Sequence, residues 1–261
     1  MRCAICSGRN EEFARARLGI GVEAVYLQCS GCGFVQVRNP EWLASTYADN
    51  AIAATDAGLV SRALYIRDVA SAVIGGLFNG NGPFLDYGAG NGLLVRLMRD
   101  AGWDFYWFDR YSRNLFSAGL EADLSGETTY ELATAVEVAE HFVDPLAEFR
   151  QILSVARNLL FTTQLLPQPT PRPGDWWYYG LDHGQHVAFY STESLRAIAR
   201  SMGCHFVSNG RDIHLLSRRK VPAWLFAILC HPATARLLKL TFRRKSLLDE
   251  DYRRLTGNGA G

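Results

Sequence analysis

The stretch Phe84-Leu85-Asp86-Tyr87-Gly88-Ala89-Gly90-Asn91-Gly92 decides the fold. Pro83-Phe84-Leu85 is an apolar run of strand character that ends in an acid and three glycines at alternate positions. Leu93-Leu94-Val95-Arg96-Leu97-Met98 then carries its apolar residues at helical spacing. The reading is strand, glycine turn, helix. Glycine lets the backbone turn sharply and lets a ligand lie against it, because no Cβ intervenes. The helix start offers N–H groups that lack intrahelical partners. In an open α/β sheet, ligands bind beyond the carboxyl end of such a strand.

Ala101 to Phe108 reads as a second strand that ends in Asp109. A carboxylate there can accept from both hydroxyls of a ribose. The plain alternatives are a tight turn without a ligand and, for Asp109, a turn or cap residue. The glycine spacing is G-x-G-x-G with Asp86 two residues ahead, whereas a dinucleotide oxidoreductase would show G-x-G-x-x-G. Further on comes Tyr130-Glu131-Leu132-Ala133-Thr134-Ala135-Val136-Glu137-Val138-Ala139-Glu140-His141-Phe142-Val143-Asp144-Pro145. The two stretches together resemble the class I S-adenosylmethionine-dependent methyltransferases, whose fourth strand is followed by E-x-x-E-H and D-P. The resemblance covers roughly residues 60 to 220. It implies an α/β fold, a Rossmann-like doubly wound sheet of seven mostly parallel strands with an antiparallel edge. It also implies S-adenosylmethionine as cofactor, held by Asp86, Gly88, Ala89, Gly90, Gly92, Asp109, Glu137 and His141.

With 261 residues, 48% of them hydrophobic, the chain can form one full α/β domain and a smaller element. The formal net charge of +1 gives no global field for nucleic acid. That charge is uneven: residues 1–210 hold 16 Lys and Arg against 22 Asp and Glu, and residues 211–261 hold 11 against 4. Met1-Arg2-Cys3 leads into a cysteine pair rather than an apolar leader. No apolar run reaches the ~18–20 residues that span a bilayer. Paired cysteines suit a reducing compartment, so the expected location is the cytoplasm.

Cys3-Ala4-Ile5-Cys6 and Cys29-Ser30-Gly31-Cys32 can each grip one ion from a tight turn, giving four thiolates in a tetrahedron. We expect a zinc ribbon over 1–38, with hairpin strands at Gly19 to Val22 and Val25 to Leu27; redox thiols and an iron centre are the alternatives. Four protein ligands leave no open position, so the ion should be structural, supplying folding energy that so short a segment lacks.

Residues 39–80 read as a helical connector, with helices at 41–48 and 59–74, the second ending at Gly75-Gly76. Tyr47 and Arg62 are candidates for the carboxylate end of the cofactor. Residues 81–220 form the cofactor-binding domain. Tyr111 to Leu120 reads as helix, Glu121 to Leu124 as a short third strand, Leu146 to Val155 as helix and Asn158 to Leu166 as the fifth strand. Ser191 caps a helix that runs to Met202. Cys204 to Ser208 and Asp212 to Ser217 flank Asn209-Gly210 as an antiparallel hairpin.

Between the fifth strand and the capped helix lies a long loop, and a loop of that length is usually functional. It carries Trp176, Trp177, Tyr178 and Tyr179, then Asp182-His183-Gly184-Gln185-His186. Asp182 to Ser191 resembles a D-x-x-H-V-x-F-[FY]-[ST] pattern in a branch of the family, many of whose members act on saccharides or other natural products. If the acceptor is a hydroxyl, a base must take its proton near neutral pH, and histidine suits that. We expect His186 as base, His183 as the runner-up, and the four aromatics as a wall for a small-molecule or saccharide acceptor.

Residues 221–261 form a basic helical tail that could lie on an anionic membrane surface or pack on a second subunit. The leading expectation is a methyltransferase acting at oxygen. The alternative is an RNA methyltransferase that grips nucleic acid with ribbon and tail, and the acidic body weighs against it.

Overall fold

A computed structural model of the chain describes residues 2–47, 56–78, 80–242 and 244–257. β4 (Phe84–Tyr87) follows Pro83 as expected, and all four of its residues are buried. It pairs in parallel with β5 (Phe105–Phe108) and with β6 (Leu132–Ala135). Central parallel strands covered on both faces need no polar alternation, which is why Phe-Leu-Asp-Tyr and Leu-Ala-Thr-Ala show almost none. With β7 (Leu159–Thr162), β9 (His205–Ser208) and β10 (Ile213–Ser217) they form a mostly parallel six-stranded sheet in the order β5-β4-β6-β7-β10-β9. β9 and β10 pair antiparallel. Asn209 makes their turn, its side-chain oxygen accepting from the N–H groups of Arg211, Asp212 and Ile213.

The expected seventh strand does not form among the described residues. Glu121 contributes a single bridge to Trp107, and two residues later Asp123 Oδ1 turns the chain by accepting from the Ser125 N–H at 2.8 Å. The helix expected over 111–120 is likewise a series of bends. Asp109 Oδ1 takes the N–H groups of Tyr111 and Ser112, and Asn114 Oδ1 takes that of Ser117. The Asn91 carbonyl takes those of Leu115 and Phe116. Donors satisfied locally in this way no longer favour the helix.

The chain divides into two compact units. The first comprises Met1–Thr55, Val136–Leu153 and Phe161–Lys220, and the second Asp56–Ala135, Ser154–Leu160 and Val221–Gly261.

In the first unit, β1 (Asn10–Arg17) and β2 (Glu23–Cys29) form an antiparallel hairpin. Gly19 to Val22, expected as strand, is instead its turn: Gly21 has φ +85° and donates its N–H to the Leu18 carbonyl. β3 (Val35–Val37) and β8 (Ala188–Phe189) extend the hairpin to a four-stranded sheet in the order β1-β2-β3-β8. Leu18, Tyr26 and Val35 of the N-terminal segment share one core with Leu166, Tyr178, Tyr179 and Phe189. The ribbon therefore does not stand alone. α1 (Leu43–Thr46) is shorter than the helix expected at 41–48, whose residue 48 lies outside the described residues. α4 (Pro145–Val155) and α5 (Thr192–Ser201) start as read, with Ser191 Oγ accepting from the Ser194 N–H at 3.0 Å.

In the second unit, α2 (Leu59–Leu77) runs through Gly75-Gly76 instead of ending there. These glycines serve packing rather than termination: a Cβ at Gly75 would collide with the Phe242 ring, and one at Gly76 would sit 3.1 Å from Leu229. α3 (Leu93–Asp100) carries the buried Arg99, whose guanidinium binds both oxygens of Asp251 on α8 (Leu248–Thr256). α6 (Ala223–Cys230) and α7 (Pro232–Thr241) complete this unit. Among the described residues no helix is long and apolar enough to cross a membrane.

Candidate active site

The glycine turn belongs to the second unit. Gly88, Gly90 and Gly92 have φ of 72°, 53° and 86°, in the left-handed region that favours glycine. The Gly88 and Ala89 N–H groups donate to the Phe108 carbonyl, tying the turn to β5. A Cβ added at Gly90 would meet nothing within 4 Å, so this side of the turn is open. One added at Gly92 would strike Ser117 and Asn114. Trp107 Nε1 donates to the Gly90 carbonyl at 2.8 Å.

Asp109 stands at the tip of β5. Its Oδ2 accepts from the Gly90 N–H at 2.9 Å, and its Oδ1 accepts from the N–H groups of Tyr111 and Ser112. Here it organises the turn and the glycine loop together. Asp86, at the end of β4, is 2% exposed. The Thr134 hydroxyl on β6 donates to its Oδ1 at 2.6 Å. Burial pushes its pKa up to about 7; Thr134 opposes the rise and the Asp109 charge adds to it. Sequence reading missed Thr134. Its signal was a hydroxyl inside an otherwise apolar central strand. Arg62, expected near the cofactor, is paired with Asp56.

Glu137, Glu140 and His141 lie in the first unit, as do both histidines of the long loop. Glu137 has φ +53°, a strained conformation for a residue with a Cβ. The Thr162 hydroxyl holds it, accepting from the Glu137 N–H and donating to Oε1 at 2.7 Å. Thr162 is a second residue that sequence reading passed over.

Ala139–His141 form one turn of 3-10 helix. The His141 and His186 rings lie 5.1 Å apart, His186 and His183 4.9 Å, and His186 and Tyr178 4.7 Å. The Tyr47 ring meets His141 at 6.1 Å. His186 Nδ1 is 2.6 Å from the Tyr178 carbonyl and His141 Nδ1 is 3.1 Å from the Gln185 carbonyl. A carbonyl can only accept, so each Nδ1 carries the proton and each Nε2 keeps a lone pair. His183 has the other tautomer, since its Nδ1 accepts from the Gln185 N–H. Burial lowers the pKa of all three, to about 4 for His141 and well below the usual range for His186. Burial thus favours the neutral form of each.

Glu140 is fully buried, and neither carboxylate oxygen has a hydrogen-bond partner among the described residues. The Tyr178 and Thr163 hydroxyls, 3.1 Å apart, stand beside it and favour its charged form. Burial raises the Glu140 pKa well above the usual carboxylate range, and the Glu137 charge adds to the rise.

The aromatic run does not make one wall. Tyr178 and Tyr179 are wholly buried in the core of the first unit, and Tyr179 donates its hydroxyl to the Pro171 carbonyl. Trp176 is half-buried against them and Trp177 is 75% exposed. The short 3-10 turn at Trp177–Tyr179 points successive rings in different directions, which a reading by composition cannot see.

The four cysteines converge, with all Sγ atoms within 4.8 Å of one another. Cys3 and Cys32 are 3.7 Å apart and Cys6 and Cys29 3.4 Å. Tetrahedral Zn–S bonds of about 2.3 Å would set sulfurs about 3.8 Å apart. The Ile5 N–H donates to Cys3 Sγ and the Gly31 N–H to Cys29 Sγ, and the Cys32 thiol pulls the Cys3 pKa down to about 5. A Cβ at Gly8 would press on the Cys6 and Cys29 sulfurs at 3.1 Å, so glycine keeps this turn close to them. The donor set fits a four-thiolate ion.

A family model described as a methyltransferase domain matches residues 62–209, more than half of the chain. Among solved structures, an O-methyltransferase family 2 protein from Planctomyces limnophilus, in complex with apigenin, is 15% identical over 70% of this chain and 62% of its own, with a TM-score of 0.49. CalO1, a methyltransferase in calicheamicin biosynthesis in its SAH-bound form, is 15% identical over 67% of this chain and 60% of its own, with a TM-score of 0.43. The N-terminal domain of EvdMO1, in the presence of SAH and D-fucose, is 13% identical over 59% of this chain and 83% of its own, with a TM-score of 0.42. The chain thus spans about three fifths of the length of the first two. No curated protein matches it.

Proposed function

The chain belongs to the methyltransferase-domain family, and we propose that it is a class I S-adenosylmethionine-dependent methyltransferase that acts on a hydroxyl of a small glycosidic acceptor with His186 as general base. One observation carries the base: Tyr178 fixes the proton on His186 Nδ1, so Nε2 keeps the lone pair. The cofactor, when bound, supplies an electrophilic methyl on a sulfonium, already a good leaving group. The protein's task is then alignment and removal of one proton. The acceptor oxygen forms its bond to the methyl carbon as the sulfur–carbon bond breaks. The hydroxyl proton passes to His186 Nε2, and burial keeps that imidazole in the neutral form that can accept it. His183 holds the second rank because its Nδ1 lone pair is already engaged.

We assign the cofactor to the open side of Gly90, with Gly88, Ala89 and Gly92 shaping the turn. Asp86 and Asp109 are the acids beside it. We assign a structural zinc to Cys3, Cys6, Cys29 and Cys32.

Calorimetry with S-adenosylmethionine and with NADH tests the cofactor assignment. Micromolar binding of the first and none of the second is expected; binding of NADH alone would overturn it. His186→Ala should lower the transfer rate by about 100-fold or more while leaving cofactor affinity unchanged. Turnover of the true acceptor at the native rate would remove His186 as base.

A lipid-linked acceptor is a second reading. α6 and α7 expose Trp224, Ile228, Leu237 and Leu240 beside Arg236, a composition suited to an anionic membrane surface. Sedimentation with neutral and anionic vesicles tests it, and equal recovery with both would count against it. The RNA reading gains no such support. The hairpin's Arg9, Arg15 and Arg38 are paired with Glu11, Glu12 and Glu23 rather than left to meet phosphate.

A further inference from the structure

Glu140 poses a question that proton transfer through His186 leaves unanswered. A carboxylate with no exposed surface and no hydrogen bond among the described residues is costly to bury. It is not isolated from chemistry, however. One Glu140 oxygen and one ring nitrogen each from His141 and His186 all lie within 4.8 Å of one another.

The two histidines are also set up alike. Each donates its Nδ1–H to a backbone carbonyl, His141 to Gln185 and His186 to Tyr178. A histidine that binds a metal almost always gives its other ring N–H to a carbonyl or carboxylate, which fixes the tautomer and turns the lone pair to the ion. Here both are preset in that way before any ion arrives. The third group is the fully buried Glu140 carboxyl, whose polar neighbours besides the two histidines are the Tyr178 and Thr163 hydroxyls. Three ligands of this kind leave coordination positions open.

We propose that Glu140, His141 and His186 form a binding site for a divalent first-row transition ion, distinct from the four-cysteine site and open to an oxygen ligand. Two imidazoles and one carboxylate suit zinc, iron, cobalt or manganese better than the all-oxygen shells of magnesium or calcium. The inference rests on reading this cluster as the acceptor's end of the enzyme, and it changes the activation of the acceptor there. An ion and a proton compete for the His186 lone pair. An ion held by Glu140, His141 and His186 would act as a Lewis acid and lower the pKa of an acceptor hydroxyl bound to it. In the metal-free protein His186 takes the hydroxyl proton directly.

The test is metal binding by the full-length protein. After stripping with a chelator, the protein is titrated with cobalt(II) and read by absorbance and by metal content. Two equivalents are expected. One gives strong thiolate-to-cobalt bands from the cysteines; the other gives weak bands without thiolate character. Glu140→Gln keeps the side-chain shape and should weaken the second equivalent by more than the about 10–100-fold that loss of a mere supporting partner costs, leaving the thiolate bands unchanged. His141→Ala should do the same. A single, thiolate-bound equivalent in the unaltered protein overturns the proposal without any variant. So does a second equivalent unmoved by both substitutions. Neither result touches the methyl-transfer reading, whose own failure would be an absence of cofactor binding in the calorimeter.

Discussion

At the scale of single residues, Asp86 is the group whose state most depends on conditions. Burial raises its pKa to about 7 from an ordinary carboxylate value of 3.8. The folded protein thus holds a proton that the unfolded chain loses between these values. Where the folded state binds more protons, stability falls as pH rises. The contribution is fully present below about pH 4 and disappears as pH climbs through 7, amounting to roughly 4 kcal/mol at most. Denaturation of the cofactor-free protein at pH 5 and pH 8 measures it. Asp86→Asn, which keeps the shape but cannot titrate, should flatten that part of the profile. An unchanged slope would mean that the pH dependence lies elsewhere.

At the scale of elements, the helix that runs through two glycines is the informative case. Replacing a helix-interior glycine by alanine normally gains about 0.8–1 kcal/mol. At Gly75 the new methyl would enter the Phe242 ring, and overpacking of that kind costs about 1–3 kcal/mol. The second effect is larger, so Gly75→Ala should lower the melting temperature. If it raises it, α7 yields more easily than its packing indicates, and the glycine is only a weak spot in α2.

At the scale of the whole molecule, the cysteine ribbon is continuous with the core that holds the histidine loop. β8, from that loop, is the fourth strand of the ribbon's sheet, and Tyr26 packs on Tyr179 and Phe189. The zinc proposal therefore carries a consequence beyond the first 38 residues. Removing the ion, or Cys29→Ser, should loosen Tyr178 and Tyr179 as well as the ribbon, because all share one core. Near-ultraviolet circular dichroism of the tyrosines and hydrogen exchange at residues 176–190 would report this. Loosening confined to residues 2–38 would mean that the core holds without the ion.

The sequence was most legible where local chemistry has one solution. The glycine spacing and the acid before it placed β4, its turn and α3. Asn209-Gly210 placed the last hairpin, and the paired cysteines assembled as read. Tertiary contacts decided the rest. Gly75-Gly76 signalled a helix end in the sequence, but neighbouring side chains use those glycines for close approach. Side-chain oxygens of Asp109 and Asn114 turned an apparently helical stretch into bends. Trp176 to Tyr179 looked like one surface in composition, yet a single 3-10 turn buried two of them and exposed another. Glu140 could be read only as part of a motif. Its meaning as a buried acid beside two prepared histidines arises because the loop brings His186 back 46 residues later, and periodicity along a chain carries no information about a contact made at that distance.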